Sequence, residues 1–597
     1  MTFAQAENFT TRPTLQGSFG MSASTHWLAT GAAQSVLERG GNAFDAAAAG
    51  AFVLHVVEPH LNGPGGEVPA IFTTAEQPHT PRVLMGQGPA PARASIEHYR
   101  ALGLETVPGA GGLAAPIPGA VDAWLLLVRD HGVATLEEVL GYAIYYAAEG
   151  HPILPRVASA LASVEELFTE HWPSSAEVWL PEGRVPEAGE TITNPAYAQL
   201  LRDLIAAGEN AASREDAIDA ARTEWKKRVG EAAERHLSVP HRHADGGDYA
   251  GVITAEDVTS FNAGYEDPVT IEFRGYTIAK TGPWGQGPVL LQTLKILEGY
   301  DDAELDPSTE RGAHLILEAQ KLAFADRDTY YGDTDVNLTY LLSDEYAAAR
   351  RELITEEASA QFRPGDVPGT PKVLPRLVEV GQEEMQKTAG TGEPTVAKSG
   401  ETKGDTCHID VVDAAGNIIS ATPSGGWFQA SPTIPELGFP LSTRLQMSWL
   451  DPESPSALAP GRRPRTTLTP TLVLKDGAPI LALGTPGGDQ QEQWQLPMLL
   501  RILLGGHSIQ QALDAPTYHS TSLPGSFWPR TWEPGGAVVE SRLGHQVIEG
   551  LRRRGHRITE VDGWSLGRMS AVARDPRTGQ LSAGANARGA QGYAAGR

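Results

Sequence analysis

Residues 381–404, GQEEMQKTAGTGEPTVAKSGETKG, hold charge, glycine and proline and little to bury, and at Thr406 a β pattern begins without transition. A segment of that composition reads as a mobile surface arm. Directly after it, Thr406–Val412 and Ile418–Thr422 flank the turn Asp413-Ala-Ala-Gly-Asn417, which predicts a hairpin. A second hairpin is expected at Pro470–Leu474 and Ile480–Leu483, and a third at Met569–Arg574 and Leu581–Ala583. Before the arm the pattern is mostly helical. Leu28, Ala32 and Val36 recur at helical spacing until Gly40-Gly41. Asn42, with Asp45 three residues on, reads as the N-cap of a helix through Ala46–Val57, followed by the loop Asn62-Gly-Pro-Gly-Gly66. Further helices are expected at Ala120–Asp130, Leu136–Glu149, Pro195–Ala207, Arg214–Arg235 and Ala313–Asp326. Helices mainly first and strands mainly later predict α+β layers, with sheets packed inside helices.

Charge narrows the partners. The 597 residues carry a formal net charge of −26, which repels phosphate backbones and anionic lipid. Nucleic-acid and membrane partners are therefore not expected, and a small molecule is. One cysteine, Cys407, excludes an intramolecular disulfide framework and any multi-thiolate metal site. The first twenty residues have no basic start followed by an apolar run, and no apolar run of spanning length occurs, so a cytoplasmic location is expected.

Several stretches resemble catalytic motifs. Gly563-Trp-Ser-Leu-Gly567 matches the G-x-S-x-G elbow, but a strand follows it where the elbow needs a helix. His241-Arg-His243 lacks a third ligand at a usable spacing and reads as a solvated loop. Gly484-Thr-Pro-Gly-Gly488 lacks the Gly-Lys-Ser/Thr of a P-loop. Asp405-Thr406 is different because of its position. If the bond between them is cut, Thr406 acquires a free α-amine beside its own hydroxyl. An unperturbed α-amine has a pKa of about 7.7–8.0, so it can take the hydroxyl proton near neutral pH with no histidine. The same hydroxyl can attack the preceding carbonyl and cause the cut. No cofactor and no metal are called for. Cys407, next in the strand, faces the opposite side and reads as a small buried residue.

From about Gly20 to Arg597 the sequence resembles the gamma-glutamyltransferases (gamma-glutamyltranspeptidases). The matching stretches are Gly40-Gly-Asn-Ala-Phe-Asp-Ala-Ala, Val57-Glu-Pro, Pro118-Gly119, Gly251-Val-Ile-Thr-Ala-Glu-Asp257, Arg274-Gly-Tyr276, Glu318-Ala-Gln-Lys-Leu-Ala-Phe-Ala-Asp-Arg327, Thr406-Cys-His-Ile-Asp-Val-Val-Asp413, Gly416-Asn417 and Thr485-Pro-Gly-Gly488. The resemblance implies a four-layer αββα sandwich of the N-terminal-nucleophile hydrolase type. It also implies a precursor cut into an intertwined large subunit, 1–405, and small subunit, 406–597. By the same resemblance Thr406 is the nucleophile, Ser424 a hydroxyl bonded to it, and Gly487 and Gly488 the pair whose N–H groups hold the oxyanion. Glycines there keep side chains away from the substrate carbonyl.

Substrate recognition departs from the family. The arginine that holds the glutamyl α-carboxylate is replaced by Gln87, and the acidic residue that holds the α-amine by Trp449. Gln446 matches, and the family's serine pair is Thr466-Thr467. Glutamine brings no charge and no guanidinium fork. Three readings follow: a divergent gamma-glutamyl hydrolase or transferase; an amidase or acylase for an uncharged or differently charged acyl group, with Trp449 as an apolar wall; and a non-catalytic scaffold. Arg444 or Arg465 is the candidate to return the missing cation from another direction.

Overall fold

Each of two central seven-stranded sheets is assembled from both ends of the chain. The computed structural model describes residues 3–379 and 406–597, so the expected arm at 381–404 and Asp405 lie outside the described residues. In one sheet the order is Tyr593–Gly596, Gly20–Ser24, Ile409–Asp413, Ile418–Ala421, Val68–Thr73, Arg82–Gly86 and Gly264–Glu266. In the other it is Leu15–Gly17, Leu581–Ala585, Ser570–Arg574, Ala478–Gly484, Thr471–Lys475, Tyr276–Lys280 and Val269–Phe273. Neighbours in both sheets run antiparallel.

Side-chain alternation along the strands builds the layers. Val412, Ile418, Leu472, Leu474, Ala482 and Val572 meet between the sheets. Ile409, Val411 and Ile419 point the other way, onto the helices Trp27–Glu38, Ala43–Val57 and Ala120–His131. Val473, Leu481 and Leu483 likewise leave the second sheet toward Gly287–Leu297, Glu310–Tyr330 and Gln491–Leu503. Both faces of each sheet are apolar, so these strands read as nearly continuous hydrophobic runs. The result is a four-layer αββα sandwich. Helix Ala43–Val57 is buried along its whole length, which its small alanines permit, and the Asn42–Asp45 capping box starts it.

The expected helices at Leu136–Glu149 and Pro195–Ala207 have those bounds in the structure; others extend by a few residues, to Arg214–Leu237 and Glu310–Tyr330. All three expected hairpins pair. The expectation of strands mainly late is corrected: half of the sandwich strands precede residue 281. They are short, and Gly20–Ser24 and Val68–Thr73 are buried on both faces and so lack the polar–apolar alternation that marks a strand in sequence, whereas Val269–Phe273 keeps it, with Thr270 and Glu272 exposed. Among the described residues no helix is long and apolar enough to cross a membrane.

Candidate active site

Four neighbouring strands bring Thr406, Ser424, Glu67 and Gln87 to one end of the first sheet. Thr406 and Ser424 form an isolated antiparallel bridge just beyond the registered Ile409–Ala421 pair, and Ser424 pairs in turn with Glu67 through two backbone hydrogen bonds of 2.9 and 3.0 Å. Gln87 follows strand Arg82–Gly86, whose last residue pairs with Val68. Paired residues share a face, so this row looks inward between the sheets. The Thr406 hydroxyl donates to Ser424 Oγ at 3.1 Å, and both residues are buried.

Arg444 closes the row. Its Nη2 donates to Ser424 Oγ at 2.8 Å and its Nε to Glu67 Oε1 at 2.5 Å. Burial raises the Glu67 carboxyl, and the Arg444 charge opposes that rise. The pair is fully desolvated, so breaking it is costly. Arg444→Met is expected to destabilise the fold by about 3–5 kcal/mol, by leaving Glu67 buried without its cation. Denaturant unfolding checks this. An Arg444→Met, Glu67→Gln double variant should recover most of the loss; an equal or greater loss in the double variant would contradict the account.

Cys407 faces the helices, as alternation requires. Its thiol donates to Glu58 Oε2 at 3.1 Å, and burial, with the Glu58 charge, pushes it well above the usual thiol range. His408 returns to the inner face. It bonds Asp410 Oδ1 at 2.9 Å, while Ser570 of the opposite sheet donates to Asp410 Oδ2 at 2.7 Å. Burial raises the Asp410 carboxyl. This polar network ties the Thr406 strand to the sheet that carries the glycine pair.

Gly487 and Gly488 leave strand Ala478–Gly484 with φ of 131° and 52°, the left-handed side that glycine tolerates. A Cβ on Gly487 would run into the Trp494 ring, and one on Gly488 would lie 2.9 Å from Phe527. Phe527 joins the two halves of the site, because its ring centroid is 5.7 Å from the Arg444 guanidinium. Gln286 Nε2 donates to the Gly488 carbonyl at 3.0 Å, and the neighbouring Gly285 bridges to Thr466.

The remaining candidate residues surround this core. Gln87 is buried; its Nε2 donates to the Gly88 carbonyl at 3.2 Å and its Oε1 has no protein partner. The Thr467 hydroxyl is also buried without one. Gln446 is occupied in scaffolding: it donates to Gly109 O at 3.1 Å and Thr443 Oγ1 at 3.0 Å, and accepts from Trp528 N at 3.0 Å. Trp449 is not the bare apolar wall expected of it. The Arg530 guanidinium stacks 3.8 Å from its ring, and Trp449 lines a cleft of about 380 Å³ together with Arg100, Asp328 and Arg376. Arg465 donates to Ser526 at 2.8 Å and pairs with Asp328 at 3.5 Å, and Ser526 holds Asp489 beside Gly488. Arg327 bridges Asp328 and Asp489. Sequence reasoning missed Glu67, Phe527, Arg530 and the His408–Asp410 pair. The meeting of separate segments reveals the first three, whereas His408 and Asp410 stand two apart in one strand and share a face by its two-residue period.

The expectation of a solvated loop at His241 and His243 is corrected. Their Nε2 atoms accept the backbone N–H groups of Gly112 and Leu113 at 2.8 and 3.1 Å, and the rings stack 4.7 Å apart. Elsewhere His314, Glu318 and His556 bring ligand-type atoms within 4.8 Å of one another. Glu318 is already paired with Lys321 and Arg363, and the two histidines hydrogen-bond each other.

A four-layer αββα sandwich, with a buried threonine opening a central strand, has the architecture of the N-terminal-nucleophile hydrolases. The chain belongs to the gamma-glutamyltranspeptidase family, whose model matches residues 29–596. It is 30% identical over 96% of its length to the glutathione hydrolase-like YwrD proenzyme of Bacillus subtilis, 98% of which is covered. The solved structure of LmbA2991HD is 50% identical and superposes with a TM-score of 0.93, covering 99% of this chain and 100% of that one. The cephalosporin acylase of Bacillus halodurans is 29% identical with a TM-score of 0.81, covering 100% of this chain and 99% of that one. The family thus joins hydrolases and acylases in one fold.

Proposed function

We propose that this chain cuts itself between Asp405 and Thr406, and that the freed Thr406 then hydrolyses amides of an acyl group lacking the α-ammonium of glutamate. The observation that carries the reading is the buried Thr406–Ser424 hydrogen bond at the open end of the strand row. In the precursor the Thr406 hydroxyl attacks the Asp405 carbonyl and the scissile nitrogen leaves protonated, which converts the peptide into an ester that water then cleaves. In the mature enzyme the Thr406 amine takes the hydroxyl proton as Oγ1 attacks the substrate carbonyl. The N–H groups of Gly487 and Gly488 receive the oxyanion. The leaving amine departs with that proton; the Thr406 amine, again unprotonated, then takes a proton from water as it attacks the ester and returns it to Oγ1 as the acid is released.

Arg444 supports this assignment as a positioning residue, since it fixes the lone pairs of Ser424 and leaves that hydroxyl oriented around Thr406. Its charge is matched by Glu67, so it does not stand ready to replace the family's carboxylate anchor, whereas Arg465 shares Asp328 with Arg327 and keeps a buried Nη1 without a protein acceptor. The mature site retains Thr406 and both glycines, which favours catalysis over a scaffold role.

Purified wild type is expected as two copurifying chains, one beginning Thr-Cys-His-Ile-Asp. N-terminal sequencing checks the cut, and a panel of acyl anilides checks the chemistry. A single uncut chain in an otherwise folded preparation would overturn the proposal.

A further inference from the structure

Arg465 is 3% exposed, and its Nη1 has no hydrogen-bond acceptor among the described residues. Its Nη2 donates to Ser526 Oγ at 2.8 Å and lies 3.5 Å from Asp328 Oδ1. The acids around it are already engaged. Both oxygens of Asp328 accept from Arg327 Nη2, at 3.1 and 3.0 Å. Asp489 accepts from Arg327 Nη1, from Ser526 N at 2.8 Å and from Ser526 Oγ at 2.6 Å. The next acid, Glu492, faces Lys280 at 3.9 Å. Arg530 brings another buried guanidinium, whose Nη2 donates to the Gln446 and Ser448 carbonyls. Arg327, Arg465 and Arg530 therefore share two carboxylates, Asp328 and Asp489, and one positive charge is left over. The arginines register this surplus. Burial, and then the Arg327 charge, pushes Arg465 down to about 10; burial, and then the Arg465 charge, pushes Arg530 down to about 9.

The surplus lies between the oxyanion glycines and the Trp449 cleft. On one side, Ser526 ties Arg465 to Asp489, the residue after Gly488, and Phe527 packs against Gly488. On the other, Asp328 and Trp449 line the cleft of about 380 Å³, and Arg530 stacks on Trp449. That cleft has room for a carboxylate and the chain that bears it. A buried guanidinium with an unmet donor is unfavourable, and its planar fork matches a carboxylate. We propose that Arg465 is a specificity-determining residue, whose Nη1 receives a carboxylate of the substrate entering from the Trp449 cleft and selects amides that carry one. The inference rests on the function proposed above, because Gly488 is what places Arg465 near the reacting carbonyl. A glutamyl head stays disfavoured. It bears an ammonium on the same carbon as its carboxylate, and that ammonium would enter the field of the same guanidiniums.

The carboxylate can belong to the acyl group or to the leaving amine, and matched substrates separate the two. Succinyl anilide against butyryl anilide reads the acyl side. Butyryl-3-aminobenzoate against butyryl anilide reads the amine side. In wild type one of these kcat/KM ratios is expected to exceed about ten, and to fall by about tenfold or more in Arg465→Gln, as loss of a charge-assisted contact requires. Arg465→Lys keeps a cation beside Asp328 but loses the fork, so it should retain part of the preference and not all of it. Ratios near one in wild type, or a preference undiminished in either variant, would overturn the proposal.

Calorimetric titration of succinate and of 3-aminobenzoate into the same proteins is independent of turnover. If no anilide is cleaved, the functional reading fails, and binding still decides the role of Arg465. Binding of either probe that is lost in Arg465→Gln supports it; no binding of either by wild type, or binding unchanged in the variant, sinks it. Thermal melting establishes that each variant is folded, and Arg465→Lys carries the comparison if Arg465→Gln is not.

Discussion

Thr406→Ala is expected to purify as one uncut chain and to turn over amide substrates at least about three powers of ten more slowly than wild type, the scale seen when a nucleophile acting as part of a unit is removed. The substitution deletes the hydroxyl that donates to Ser424 and leaves the fold's other contacts in place. No neighbour can replace it. The Ser424 hydroxyl already accepts from Arg444. The Cys407 thiol lies on the opposite face of the strand, against Glu58, and burial holds it protonated. Thr406→Ser keeps a hydroxyl and should still be cut. Intact-mass measurement and an anilide assay check both halves. Two chains from Thr406→Ala, or turnover by that uncut protein near the wild-type rate, would mean that the nucleophile lies elsewhere.

Gamma-glutamyl anilide is expected to be a poor substrate for wild type, by two to four powers of ten in kcat/KM against butyryl anilide. Gln87 brings no charge to the glutamyl carboxylate, and Trp449 none to the ammonium. Each lost charge-assisted contact is worth about 1.5–3 kcal/mol, or roughly one to two powers of ten. The structure adds a reason for rejecting the ammonium: four guanidiniums, Arg327, Arg444, Arg465 and Arg530, border the site against three carboxylates, Glu67, Asp328 and Asp489. A Gln87→Arg, Trp449→Asp double variant should shift the ratio toward the glutamyl substrate. The shift should be partial, because Arg at 87 would stand next in the row to Glu67, and Asp at 449 would meet Arg530. Efficient wild-type turnover of the glutamyl anilide, with no gain in the double variant, would refute a switched pocket.

Local signals predicted local structure well. Asn42 with Asp45, and Gly after the last apolar position, mark helix ends because they satisfy backbone groups within a few residues. The Asp413–Asn417 turn marks its hairpin for the same reason. These interactions are short in sequence, so a linear reading contains them. The early strands Val68–Thr73 and Tyr276–Lys280 each have one local hairpin partner, Arg82–Gly86 and Val269–Phe273, but their places in the sheets are set by the other edge, which pairs with residues hundreds of positions away. Tyr276–Lys280 pairs with Thr471–Lys475, and Gly20–Ser24 lies between Ile409–Asp413 and Tyr593–Gly596.

The site divides along the same line. From sequence alone came Thr406 as a nucleophile candidate and the opposite facing of Cys407, since both follow from a strand's two-residue period and the chemistry of a terminal threonine. The resemblance added Ser424, Gly487, Gly488 and the replaced anchors Gln87 and Trp449. Tertiary structure alone decided what those positions do to one another: that Arg444 serves Ser424 and Glu67 rather than an open anion site, and that Arg530 covers Trp449. The physical reason is that a buried charge takes its meaning from its partners. Partners are chosen by packing between distant segments, which residue spacing does not encode.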